Sequence, residues 1–441
     1  MLSADRGPGE GPRPPRGGRV GPSACDGVAG VFKPAVILIT PGSEGLCGSS
    51  EFLWARFDSI ATKGSDVLLI GCGAIGSVIA KHLCASDAVA QCICADIDGQ
   101  AAKRVASATR SPKARAIDLD AGDPGELHRA MEGVGVVMNA TVPRFNEGIL
   151  AAALDSGAHY LDMAMGEEDP FAHDRAWKKR GLTAITGMGE DPGLSNVFAR
   201  YAADSMDRVD AIRVRDGETA TNPEYPFIAL FSPETLVEET LVPASIYRDG
   251  TWHEVPALSD FEDYPFPDPV GTVQVCTVAH EEVETLPKFL GKPVGYVDFR
   301  LALDPATVER LRTFRDMGFL QGDAKKALFS RIPKPADLVG RVDGYAVVLV
   351  EAIGEQGGQR KTHTLYSILE HHEAGRKYGA TGTAYLTGTG GAIGALLLAS
   401  GKIKVHGVLA PEQLDPASVF PMLRERGIEV RERVTWERSV N

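Results

Sequence analysis

The sequence predicts an α/β protein in which a doubly wound parallel sheet is interrupted by an α+β domain. Three observations predict it. An apolar strand at 66–70 runs straight into Gly71, Gly73 and Gly76, and a helix-forming run at 77–85 follows at once. Strand and helix patterns then alternate, with short connections, as far as about residue 196. After Tyr201 the texture changes to strands parted by loops dense in Pro, Asp and Glu, notably 256–269. The first kind of alternation places crossover helices between parallel strands, whereas runs of strands with short turns build antiparallel sheet.

Taken in order, further strands are expected at 89–95, 114–118, 135–140, 159–162 and 182–186. The helices between and after them are expected at 99–108, 124–131, 149–156 and 194–203. In the second region, 211–215, 245–248, 271–278 and 294–303 read as strands, and 341–353 pairs with 361–369 as a hairpin across 354–358. Small residues dominate a returning helix at 381–401. Asp415 then caps a helix at 416–426 that Gly427 ends, and 428–434 forms a last strand. This divides the chain into a sheet domain at 64–200, an α+β domain at 201–379 and a return segment at 380–441. Residues 1–63 open with a Gly-, Pro- and Arg-rich stretch almost without aromatics, and are expected to be a disordered extension.

Composition excludes several classes. A net charge of −13 with no basic stripe argues against nucleic acid or an anionic membrane as partner. No apolar stretch reaches about 18 residues, the length that would span a bilayer. Seven cysteines without a Cys-x-x-Cys pair suit a reducing, cytoplasmic setting and no metal site.

The glycine turn carries the first chemistry. Gly71 permits a tight turn, Gly73 lets backbone amides approach a pyrophosphate, and Gly76 lets the next helix pack closely, with Ala74 and Ile75 completing the loop. The helix N-terminus adds partial positive charge for the anion. Asp96 stands about 20 residues beyond Gly76 at the end of the second strand, where a carboxylate takes a ribose hydroxyl. A nicotinamide dinucleotide is therefore expected, NAD ahead of NADP because Asp96 repels a 2′-phosphate. Lys103 and Arg104 on the next helix keep NADP open unless they are an ordinary solvated face. The fourth strand ends in Asn139, Ala140 and Thr141, and ligands lie outside the carboxyl ends of such strands, so this loop should border the cofactor.

Three further stretches, with the glycine loop, carry a resemblance. They are Gly187-Met-Gly-Glu-Asp-Pro-Gly-Leu-Ser-Asn196, His280-Glu-Glu-Val-Glu-Thr-Leu-Pro287, and Leu397-Leu-Ala-Ser-Gly-Lys-Ile-Lys followed by Gly407-Val-Leu-Ala-Pro411. From about Ser65 onward the chain resembles the saccharopine dehydrogenase family, which includes lysine 6-dehydrogenase and carboxynorspermidine dehydrogenase. The resemblance implies a Rossmann domain interrupted by a substrate domain, a homodimer, and reversible hydride transfer at a carbon–nitrogen bond of a lysine-derived or polyamine substrate.

Such chemistry needs a placed nicotinamide, a proton acceptor and anchors for substrate charge. Asp191 is the candidate to meet an ammonium. Gly193 and Ser195, at an amide-lined helix start, are candidates to hold a substrate carboxylate, unless the segment is only a helix cap. Saccharopine-type members often carry an aromatic where Glu190 stands, which bears on the substrate. His280 and Glu281, with Glu282, form a candidate acid–base cluster, against the alternative of a solvated acidic turn. Tyr225, with Phe227, lies in a loop expected to face the cleft. Arg144, Arg213, Arg215, Lys288 and Arg300 are candidate carboxylate anchors. His363 reads as structural, and His371 and His372 lack a third ligand at metal spacing. The leading reading is an NAD(P)-dependent oxidoreductase acting on lysine or a lysine-derived amino acid, as saccharopine dehydrogenase or lysine 6-dehydrogenase. The alternatives are a carboxynorspermidine dehydrogenase, a homospermidine-synthase-like polyamine enzyme, and an NAD-binding regulator without turnover.

Overall fold

The first strand ends in Val67, Leu68, Leu69 and Ile70, all closed off from solvent. Val67 and Leu69 enter one apolar cluster, Leu68 and Ile70 another. A strand buried on both faces belongs in the middle of a covered parallel sheet. The structure, a computed structural model, describes residues 64–436 and places it there. The expected extension at 1–63 lies outside the described residues.

The strands are β1 (Ser65–Ile70), β2 (Val89–Asp96), β3 (Ala114–Asp118), β4 (Val136–Asn139), β5 (His159–Leu161) and β6 (Thr183–Ile185). There follow β7 (Arg208–Asp216), β8 (Thr219–Thr221), β9 (Ala244–Arg248), β10 (Thr251–Val255), β11 (Ser259–Pro265), β12 (Thr272–Thr277) and β13 (Val294–Ala302). The chain closes with β14 (Asp343–Gln356), β15 (Gln359–Glu370), β16 (Gly407–Leu409) and β17 (Arg431–Trp436).

The first sheet runs β16-β6-β5-β4-β1-β2-β3, with every pairing parallel. Strand order reverses between β1 and β4, and the crevice at the carboxyl ends beside that reversal is where such folds take ligands. The second sheet has ten strands built on β10-β9-β13-β7-β14-β15-β17. It is antiparallel except where β13 lies parallel to β7. The helix Leu194–Ser205 is buried along most of its length, and its Val197, Phe198 and Ala199 share one core with Val67 of the first sheet and Val350 of the second. The returning helix Gly382–Ala399 passes so near the 187–193 turn that a Cβ on Gly390 would lie 2.2 Å from the Gly189 carbonyl oxygen.

Five local expectations need correction. The first helix is Ala74–Cys84, not 77–85, because the Gly73 carbonyl already accepts the Ser77 amide. β16 supplies a seventh parallel strand, too short for its period to be read. The loop 256–269 contains β11, a polar strand paired with β12. The hairpin turns on Gly357 and Gly358 alone, since pairing continues to Gln356 and Gln359. The last strand begins at Arg431 and pairs with β15 in the second sheet.

Candidate active site

The glycine turn is built for an anion. Gly71 has φ +99°, and a Cβ there would lie 2.4 Å from the Ala140 carbonyl oxygen. Gly76 has the same constraint from inside the loop: its Cβ would stand 2.0 Å from the Gly71 carbonyl oxygen. The third glycine thus serves the turn itself, rather than helix-to-sheet packing. Gly73 is different, because a Cβ there meets nothing within 4 Å. The helix behind it has no side-chain cap and no acid in its first turn. Its free amides therefore face open space, which fits a pyrophosphate and requires none of the side chains to move.

A cleft of about 520 Å3 runs from this turn into the interior between the two sheets. Gly71, Gly73, Ala74, Ile75, Gly76, Asp96, Ala140 and Thr141 all line it. Asp96 accepts the Cys72 amide at 2.7 Å and the Asp98 amide at 2.8 Å, so its carboxylate is fixed at the cleft edge beside exposed Ile97. Arg104 is turned to Asp98 at 3.2 Å. Asn139 is buried beneath the cleft and does not line it. Its amide donates to Asn146 and Tyr160, and its oxygen accepts the Thr141 amide and hydroxyl, so it braces the loop.

The inner end is acidic. Asp162, Glu190, Asp191, Asp216 and Glu239 face it, and Arg144 and His280 are the cationic side chains of the lining. Burial pushes the Asp162 carboxyl up to about 7, Asp216 to about 6 and Glu239 to about 8. Burial, and then neighbouring carboxylates, hold Glu190 and Asp191 well above the usual range. Both Asp191 oxygens are closed to solvent without a hydrogen-bond partner, and a cis peptide joins Asp191 to Pro192.

His280 lies flat on Phe299, ring centres 3.6 Å apart and planes 6° from parallel. Its Nδ1 bonds Glu282, whose other oxygen accepts the Ser195 hydroxyl at 2.7 Å. Burial alone would lower its affinity for a proton, but Glu282, Glu281 and Glu239 outweigh that and hold it well above the ordinary imidazole value. Glu281 accepts the Met165 amide at 2.9 Å, which ties the second sheet's turn to the first sheet's loop. His280, Glu281 and Glu282 present ligand atoms within 4.8 Å of one another, and are the one group among the described residues spaced for a metal. Two members of the group, Glu282 and His280, are already bonded to each other through Nδ1.

The other sequence candidates lie elsewhere. Gly193 is buried with φ +132°, and its amide is bound to Asn196, so it shapes the turn. Ser195 is fully buried and meets Glu282, not the cleft. Tyr225 packs in a satellite cluster with Leu230 and Leu338 beneath Arg341. Arg215 and Arg300 are consumed by Asp298 and Glu262, and Lys288 sits on the surface beside Glu284. Arg213 does not line the cleft, whereas Arg144 does and pairs with Glu234 at 2.7 Å. His363 is held by Glu432 and Gln356, His371 by Thr219 and the Gly382 amide, and His372 by Asp343. Residues that sequence reasoning missed are Asp162, Asp216, Glu239, Thr383 and Thr387. Asp216 ends a strand and Asp162 directly follows one, a signal that was there to read. Glu239 and the two threonines sit in helices whose orientation no local pattern reveals.

A doubly wound sheet, a glycine turn open to an anion, and a cleft closed by buried acid–base groups define a dinucleotide-dependent oxidoreductase. The chain belongs to the saccharopine dehydrogenase family: the family's NADP-binding domain matches residues 67–185 and its C-terminal domain residues 189–428. It is an NAD(P)-dependent oxidoreductase of that family. Carboxyaminopropylagmatine dehydrogenase of Synechocystis is 27% identical over 397 residues, which cover 85% of this chain and 98% of the relative. Carboxynorspermidine synthase of Vibrio alginolyticus is 26% identical over 404 residues, covering 82% and 95%. Among solved structures, the apo saccharopine dehydrogenase (L-Glu forming) of Saccharomyces cerevisiae matches with a TM-score of 0.65 at 17% identity. That match covers 84% of this chain and all of the yeast one, and shows the shared fold.

Proposed function

We propose that the enzyme oxidises and forms the secondary amine joining a carboxyl-bearing chain to a polyamine or guanidino-amine. The observation that carries this is the inner end of the cleft, where five buried carboxyl groups face His280, while Arg144 of the lining is exposed and already paired with Glu234. A tricarboxylate such as saccharopine would bring like charge into that space, whereas a polyamine supplies the missing cations. The relatives named for carboxylated polyamines support the same choice over the lysine reading.

In the oxidative direction the amine nitrogen loses a proton and its neighbouring carbon a hydride, giving an imine. Water adds to the imine and releases an aldehyde and a primary amine. The bound nicotinamide would supply the hydride acceptor, or the donor in reverse. Its holders would be Gly71, Gly73, Ala74, Ile75, Gly76, Ala140 and Thr141, with Asp96 on the ribose favouring NAD over NADP. Asp191, buried and unpartnered, takes the proton from the substrate nitrogen. His280, fixed by Glu282 and Phe299, holds a positive charge and donates toward the oxygen that enters or leaves at the carbon. Arg144, exposed on the cleft lining, exchanges Glu234 for the substrate carboxylate.

The test is nicotinamide reduction with carboxynorspermidine, saccharopine and lysine, each with NAD and NADP. Turnover of the carboxylated polyamine with NAD, and little with the two amino acids, is expected. Comparable kcat/KM on saccharopine or lysine would refute the assignment. Cofactor binding without turnover of any amine would point to the regulator.

A further inference from the structure

We infer that Asp162 is the counter-charge of the nicotinamide ring, ionised beside the cationic oxidised ring and protonated beside the neutral reduced one. This concerns the dinucleotide alone and does not depend on which amine is turned over.

The order of the strands sets where the ring goes. With the adenosine half on Asp96 at the end of β2, the nicotinamide half must leave the glycine turn of β1 in the opposite direction, over β4 and then β5. Two strand spacings separate β5 from β1, about 10 Å, which a ribose and a ring cover. Met138 of β4 pairs with Leu161 of β5, so the 139–141 loop and Asp162 leave the sheet side by side. Ala140, Thr141, Asp162 and Met163 all line the cleft there.

The Asp162 carboxyl is held in place but not neutralised. It is 3% exposed, and one oxygen accepts the Gly187 amide at 2.7 Å while the other accepts the Tyr160 hydroxyl at 2.9 Å. Both donors are neutral. Asp298, buried as deeply, is instead clasped by Arg215 at 2.9 and 3.0 Å. The ionisable groups bearing on Asp162 are Tyr160 of its own strand and Glu281 from the turn after β12, an acid. The 187–193 turn brings Glu190 and Asp191 to the same cleft, where His280 is taken by Glu282 and Glu281. The helix Gly382–Ala399, packed on Leu161, carries no carboxylate or cationic side chain. Burial therefore pushes the Asp162 carboxyl up to about 7, against the hydrogen bonds that favour its ionised form. A positive ring in the cleft supplies the missing cation, and reduction of the ring removes it.

The same neutral partners tie the carboxyl to the cofactor loop. Tyr160, fully buried, also accepts the Asn139 side-chain amide at 3.1 Å. The Asn139 oxygen in turn accepts the Thr141 amide at 3.0 Å and its hydroxyl at 2.7 Å. Each Asp162 oxygen keeps a further lone pair for a proton. Charge balances in both states. The hydride from the amine carbon carries two electrons and cancels the positive charge of the ring, and one solvent proton then binds Asp162, so ring and carboxyl together stay neutral.

The experiment binds NAD, NADH and ADP-ribose, which lacks the ring, to the full chain without any amine between pH 6 and 8.5. In unaltered protein the ratio of Kd for NADH to Kd for NAD should rise at least about fivefold across that range, because ionised Asp162 favours the oxidised ring. In Asp162→Asn the ratio should be flat, with ADP-ribose bound as in unaltered protein. Tyr160→Phe removes a donor that favours the ionised form, and should move the midpoint of the rise to higher pH. A ratio independent of pH in unaltered protein, or the same rise in Asp162→Asn, would overturn the inference. A second arm needs no variant: at pH 7 in weak buffer, NAD should release roughly half a proton per chain on mixing, and NADH and ADP-ribose none. Release by ADP-ribose equal to that by NAD would also overturn it. Because no amine is present in either arm, failure here and failure of the polyamine reading are separate results.

Discussion

The Ser195 hydroxyl donates to Glu282 at 2.7 Å across 87 residues of chain, joining the helix that follows β6 to the turn that follows β12. The next residue extends the link, because Asn196 reaches Thr285 at 3.2 Å and Glu412 at 3.0 Å. The stretches 187–196 and 280–287 and the segment just after Pro411 therefore meet in one buried network under His280. Ser195 is no substrate ligand in this arrangement. It fixes the carboxylate that fixes the imidazole, the way an outer hydrogen bond sets the tautomer and orientation of a working histidine.

Glu282→Gln should uncover that dependence. Around His280 stand Glu281, Glu282, Glu239, Asp191 and Asp216, and Glu282 is the strongest of the charges keeping it protonated. Without it the alkaline limb of the kcat/KM profile should move to lower pH by about one unit or more, with dinucleotide affinity unchanged. Ser195→Ala should move it in the same direction by less, and lower stability by about 1 kcal/mol for the lost buried hydrogen bond. An alkaline limb identical in wild type and Glu282→Gln would remove His280 from the mechanism.

The unliganded protein should lose stability as pH rises from about 6.5 to above 8. Burial keeps Glu218 and Glu239 protonated up to about 8, against an ordinary 4.5. Below 4.5 their contribution is fully present, and it is lost as pH climbs through the folded values, because only the folded chain still holds these protons. Each such proton is worth about 1.4 kcal/mol per pH unit. His82 and His371, which burial lowers to about 4, oppose the trend only below 6.5, where the unfolded chain would protonate them. Calorimetric melting at several pH values should show a drop of at least about 3 °C across the window. Adding a diamine should shrink it, since a bound cation stabilises the ionised carboxylates. A flat or rising melting temperature would mean the acids are compensated in a way this structure does not contain.

What was legible in the sequence is what the backbone itself imposes. Gly71 and Gly76 announce a turn because a side chain at either would strike a carbonyl, and that constraint is local. His280 and Glu282 were visible for the same reason, being two residues apart. Arg215 and Arg300 were misjudged as anchors because strand periodicity says which residues share a face, not which face meets the cleft. Theirs meets Asp298 and Glu262. Tyr225 was misjudged because an aromatic in a polar loop looks like a ligand contact, whereas its partners Leu338 and Arg341 lie more than a hundred residues on. Glu239 has no distinguishing neighbour in sequence. Its placement comes from the helix Pro233–Leu241 packing beside the turn at Ala279, whose amide its carbonyl accepts.

Asp96→Asn should change cofactor choice. The carboxylate accepts the Cys72 amide within the glycine turn, so it braces the loop, and on the proposed cofactor seat it would repel a 2′-phosphate on the ribose. An amide keeps an acceptor and removes the charge. The ratio of kcat/KM for NAD over NADP should fall at least about tenfold, roughly 1.4 kcal/mol, with some loss of NAD affinity from the weaker brace. If the ratio does not move, preference is set elsewhere along 118–121, where Leu119, Asp120 and Ala121 also line the cleft.

Gly73→Ala and Gly76→Ala should separate cofactor seat from fold. At Gly73 an added methyl meets open space and φ is −80°, an ordinary value for alanine, so the unliganded protein should melt within about 2 °C of wild type. The same methyl would occupy the approach to the helix amides, so NADH affinity should fall at least about tenfold. At Gly76 the methyl would stand 2.0 Å from the Gly71 carbonyl oxygen, and the loop must shift to admit it. Gly76→Ala should therefore lose both, with destabilisation of about 1–3 kcal/mol on top of weakened NADH binding. Fluorescence titration and melting on the same preparations read the two effects independently. NADH bound as tightly by Gly73→Ala as by wild type would show that the dinucleotide does not cross this turn, and the assignment of the cleft would fall with it.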